Sequence, residues 1–103
     1  MITMHHLTTI EDVIGEGKRM NNALQVGNFS RPMLERGTEI YSFRIDHGES
    51  VANIAVDQGI VTNIVGPNNA RIDSRLLEEI RNKVSEFAVI REGHTYGGER
   101  MTG

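Results

Sequence analysis

Two short runs rich in β-branched residues, 50–56 and 60–65, are separated only by Asp57-Gln58-Gly59. No other feature restricts this chain as much. Valine and isoleucine favour extended backbone, and the link supplies turn chemistry, so 50–65 predicts a β-hairpin bending at Gly59. A type I turn closing on a left-handed glycine bulge sets Val56 opposite Ile60. The pairs then run back as Ala55 with Val61, Ile54 with Thr62, Asn53 with Asn63, Ala52 with Ile64 and Val51 with Val65. One face collects Val56, Ile60, Ile54, Thr62, Ala52 and Ile64, apolar enough to be covered by a helix. The other carries Val51, Ala55, Val61 and Val65 around the Asn53–Asn63 pair, more hydrophobic than a solvated sheet surface. Either an N-terminal helix and the 29–34 loop cover it, or another protein does.

Tyr41, Phe43 and Ile45 alternate with Ser42 and Arg44, the pattern of a further strand with one face inward. After Gly66-Pro67-Asn68-Asn69, Asp73 or Ser74 caps a helix whose stripe of Leu76, Leu77, Ile80, Val84, Phe87 and Ala88 recurs at helical spacing. Near the start, Thr8 or Thr9 caps a short helix with Ile10, Val13 and Ile14, which Gly15 and Gly17 weaken. Residues 27–37 hold no lasting period, and Pro32 argues against a continuous helix there. The resulting expectation is an α+β fold: a three-stranded antiparallel meander (39–45, 50–56, 60–65) packed by a long C-terminal helix (74–89), with a short N-terminal helix. Residues 1–92 form one domain, and the glycine-rich 93–103 is read as a flexible tail.

Composition narrows the chemistry. Among 103 residues there is no cysteine, which removes disulfides, zinc thiolates and a cysteine nucleophile. A net charge of -3 is the wrong sign for living on phosphate backbones, and the few aromatic residues, 5%, make a base-stacking sheet surface unpromising. Nucleic acid is therefore not an expected partner. No apolar run is long enough for a membrane span, so a cytoplasmic, non-membrane protein is expected.

The densest group of chemically capable side chains is Arg44, Asp46, His47 and Glu49, where the first strand ends. An imidazole to relay a proton, a carboxylate to orient it and a guanidinium to neutralise a phosphoryl oxygen are the parts of a small phosphodiester or phosphoester hydrolase. The same residue types also serve an ordinary loop, with Gly48 meeting a backbone demand. His5, His6, His47 and His94 offer no converging set, because adjacent histidines point apart on any regular element, so neither metal nor cofactor is expected. Glu16-Gly17-Lys18 lacks the hydroxyl residue and spacing of a phosphate loop, and Ser50 lacks the glycine of a nucleophile elbow. The leading expectation is thus a non-enzymatic interaction or adaptor protein, homodimeric through a sheet edge or through Val51, Asn53, Ala55, Val61, Asn63 and Val65. The hydrolase is the alternative.

Overall fold

The computed structural model describes residues 2–45 and 48–91. In chain order the elements are β1 (Thr3–Leu7), α1 (Ile10–Met20), α2 (Gly27–Glu35), β2 (Glu39–Arg44), β3 (Ser50–Asp57), β4 (Ile60–Val65) and α3 (Ser74–Val84), with single 3-10 turns at Ala23–Gln25 and Pro67–Asn69. The strands form one antiparallel sheet in the order β1-β2-β3-β4. Four strands and three helices replace the expected three-stranded meander with one helix at each end.

The extra strand, β1, lies antiparallel to β2 with Leu7 opposite Ile40 and Thr3 opposite Arg44. Its five residues are too short to declare a period. Met4 leans toward one core and Leu7 toward the other, so the segment becomes a strand through pairing with residues almost forty positions away.

Successive strand residues point to opposite faces, and helices cover both. On one side Tyr41, Phe43, Ala52, Ile54, Val56, Val61 and Ile64 pack with Ile80 and Val84 of α3. On the other, Leu7, Ile40 and Ala55 pack with Val13 of α1, with Leu24 of the 3-10 turn and with Met33 of α2.

The hairpin register differs from the one expected. Asp57 pairs with Ile60 and Val56 with Val61. Gln58 and Gly59 both have positive φ, 51° and 81°, which fits a two-residue turn of the primed type rather than a bulged three-residue loop. A bulge then inserts Thr62, so Ala55 faces Asn63, Ile54 faces Ile64 and Asn53 faces Val65. Turn and bulge together re-sort the side chains: Val61 and Ile64 both reach the α3 core, which simple alternation forbids for residues three apart. A second bulge, between Phe43 and Arg44, brings Arg44 opposite Ser50 and turns Val51 toward the α3 side. Gln58 bears the left-handed turn conformation without glycine's freedom. Gln58→Asn is expected to stabilise the fold by about 0.5–1 kcal/mol, read from chemical denaturation midpoints.

Residues 27–35 are helical despite Pro32. The proline leaves the Asn28 carbonyl without its helical donor, but Asn28 and Pro32 are both exposed, so water can satisfy it. The opposite face of α2 holds the helix in place by burying Met33 and by the 2.6 Å bond from Ser30 Oγ to the Leu24 carbonyl. α3 stops at Val84, five residues short of the expected end. A turn over 85–87 follows, and after it Ala88 and Ile90 are buried, Val89 is exposed, and Val89 forms a parallel bridge to Ile60. Ala88 thus reaches the core from the end of this turn, its amide bonded to the Val84 carbonyl at 2.9 Å, rather than from within α3.

Candidate functional site

The most concentrated polar chemistry among the described residues surrounds Glu16, whose side chain is fully buried. Local structure explains its placement. Thr9 caps α1 by accepting from the Asp12 amide at 3.1 Å, and the buried positions of the helix are Val13, Glu16, Gly17 and Met20, one stripe at helical spacing. Gly17 lets the helix meet the following 3-10 turn backbone to backbone, where Asn22 accepts from the Leu24 amide at 3.1 Å.

Glu16 Oε2 accepts from Ser42 Oγ and from Asn53 Nδ2, both at 2.7 Å. Oε1 accepts from Arg19 Nη2 at 2.9 Å and from Ser50 Oγ at 3.2 Å, with Arg44 Nη2 at 3.6 Å. The surrounding groups are themselves tied: Arg44 Nε donates to Ser42 Oγ at 3.1 Å, and Asn22 Nδ2 donates to Asn53 Oδ1 at 2.8 Å. The bulge at Phe43/Arg44 turns Ser50 into this cluster, which regular alternation would have kept on the side of Ala52. Burial alone would raise the Glu16 carboxyl. Bonds from Asn53, Ser42, Arg19 and Ser50 more than offset it and hold the group below its ordinary value of 4.5.

Such a carboxylate is a poor proton donor at neutral pH, and its acceptor positions are already occupied. Chemically it ties α1 to β2 and β3. Sequence reasoning passed it over, although a signal existed: one acidic residue falls in the Val13–Met20 stripe, facing a sheet side that alternates in Ser42 and Asn53.

Of the alternative catalytic group, only Arg44 and Glu49 fall among the described residues. Arg44 is engaged with Glu16 and Ser42, and Glu49 is exposed, its carbonyl accepting from the Ile45 amide at 3.0 Å. Asp46 and His47 lie outside the described residues, as do His94 and the expected tail. No group of three or more His, Asp or Glu that could hold a metal ion occurs among the described residues.

Of the six residues expected at an interaction face, Val61 is buried and Val51 half-buried against the α3 side, while Asn53, Ala55 and Val65 are buried on the side of α1 and α2. Only Asn63 is exposed. The hairpin's second face is therefore covered by the chain itself. A narrow cleft remains there, lined by residues including Leu24, Phe29, Ala55, Asn63 and Val65, with about 20 Å³ open to the centre of a water molecule, room for one water.

What the sheet leaves open is its edges. β4 is met at its Ile60 end by Val89, whose amide donates to the Gly59 carbonyl at 2.8 Å and whose carbonyl accepts from Val61 at 2.9 Å. β1 has no strand beyond it among the described residues. His6 on β1 stacks on Tyr41 with ring centroids 4.6 Å apart. Burial, with the Glu39 carboxylate that accepts from its hydroxyl at 3.0 Å, pushes Tyr41 up to about 12. No helix among the described residues is long and apolar enough to cross a membrane. Comparison with protein-family models, with curated proteins and with solved structures gives no match to this chain.

Proposed function

We propose that this chain is a small non-enzymatic interaction module that homodimerises by pairing β1 with β1 of a second copy. One observation carries the reading. Edge strands are normally guarded by charge, proline or a bulge, because unpaired backbone groups invite another strand. β1 reads Thr-Met-His-His-Leu, with none of those residues, and pairs with β2 in unbroken register. The other edge strand is bulged and partly occupied by Val89.

Self-pairing is also chemically consistent. In full antiparallel overlap, Thr3 meets Leu7 of the second copy, Met4 meets His6, and His5 meets itself, so neither a lysine or arginine pair nor a carboxylate pair is opposed.

A five-residue seam is smaller than the roughly 1,600 Å² of a standard interface, so a micromolar dissociation constant is expected. Sedimentation equilibrium at neutral pH should show a mass that rises with concentration and approaches that of the dimer well above the dissociation constant. His5→Lys, which sets two ammonium groups against each other, should give a monomer with an unchanged far-UV spectrum. A strictly monomeric parent protein would defeat the proposal.

A further inference from the structure

Resting on the β1 pairing proposed above, we infer that the seam is a proton switch, closed when His5 is neutral and opened when its imidazole and that of the second copy are both protonated. The position follows from strand length. β1 has five residues, so full overlap with its own copy puts the third of them, His5, on the two-fold axis. Directly opposed residues on one face have Cβ atoms about 4.5–5.5 Å apart, which sets the two rings side by side.

The surroundings offer an imidazolium little compensation. On its own strand His5 Nε2 lies 2.9 Å from Thr3 Oγ1, and across β2 it faces the buried Ser42 hydroxyl. The charged groups on that side are Arg44 of β2, opposite Thr3, Glu16 and Arg19 of α1 with the exposed Glu11, Asp12 and Lys18 of the same helix, whose carboxylates are solvated, and the exposed Arg31, Glu35 and Arg36 of α2. The one buried carboxylate, Glu16, is already shared by Arg19 and Arg44. On the opposite side His6 stacks on Tyr41, whose hydroxyl is held by Glu39, and α3 contributes Glu79 and Lys83 beside Ile2. The two His6 rings sit diagonally across the seam, about 7–8 Å apart by general sheet geometry, and their protonation adds repulsion of the same sign. Histidine is the side chain whose ordinary titration, near about 6.5, falls between neutral and mildly acidic conditions.

The test is sedimentation at about pH 7.5 and about pH 5.5, with far-UV circular dichroism at both; the fold is expected to persist because Glu16 stays ionised. Acidification should weaken the dimer roughly tenfold or more, and added salt should recover part of the loss by screening. His5→Gln should dimerise at both values with most of the pH response gone. A dimer equally tight at both pH values, or a His5→Gln protein that keeps the whole response, overturns the switch and leaves the β1 pairing standing. No dimer at pH 7.5 overturns the pairing itself.

Discussion

Glu16→Ala is expected to destabilise the protein by about 3–5 kcal/mol, the usual cost of removing one member of a buried, hydrogen-bonded charge cluster. The mutation does more than delete a carboxylate. It leaves Ser42 and Asn53, both buried, without the acceptor they bond at 2.7 Å, and strands the partly buried Arg44. For a domain of this size the loss corresponds to a fall in melting temperature of roughly 15–30 °C. Urea unfolding followed by far-UV circular dichroism measures it directly. A loss below about 1 kcal/mol would mean that the cluster contributes little and that the apolar contacts of Val13 and Met20 hold α1 alone.

The same group dictates an acid response. Its folded pKa lies below the ordinary 4.5, so the unfolded chain takes up the proton first as pH falls. The stability contributed by Glu16 is therefore complete above the ordinary carboxylate range and is lost as pH drops through the depressed folded value. Stability measured down from neutral pH should show this decline in the parent protein and lack it in Glu16→Gln.

Gly17→Ala should be nearly as damaging, for a purely steric reason. A methyl group there would sit 2.5 Å from the Leu24 carbonyl carbon and 2.7 Å from Gln25 Cα, and closer still to the Gln25 amide nitrogen. These are backbone atoms of the turn that places Asn22 against Asn53, so they cannot swing aside as a side-chain tip would. A loss of about 3 kcal/mol or more is expected, at the upper end of overpacking effects, although alanine favours the helix by about 1 kcal/mol. Gly15→Ala is the matched control, because its added methyl comes no nearer than 3.9 Å to a flexible Arg19 side chain. If the two substitutions behave alike, the close approach of α1 and the turn is not what holds this corner.

Some of this was legible before any coordinates. The alternation of Tyr41 and Phe43 with Ser42, the cap at Asp73 and the turn between residues 56 and 60 are local signals, and each appears in the structure. The hairpin faces were not legible, because a one-residue difference at the turn and a bulge at Thr62 exchange the side-chain set, and neither leaves a composition mark. The role of Glu16 was half legible: its place in an apolar stripe could be counted, but not that Ser42, Ser50 and Asn53 would converge on it.

What the amino-acid order determined alone is what depends on neighbours a few residues away: strand-forming runs around a tight turn, a capped helix after Asp73, a cysteine-free chain of modest negative charge. Tertiary structure decided the rest. Thr3–Leu7 became a strand because β2 offered a partner, Gly27–Glu35 kept its proline on an exposed face of the helix while the other face buries Ser30 and Met33, and residues after Val84 left the helix where Val89 could bond beside Ile60. The physical reason is shared. Local propensities differ by about 1 kcal/mol or less per residue for most side chains, whereas burying an apolar side chain or satisfying a buried charge is worth several times that.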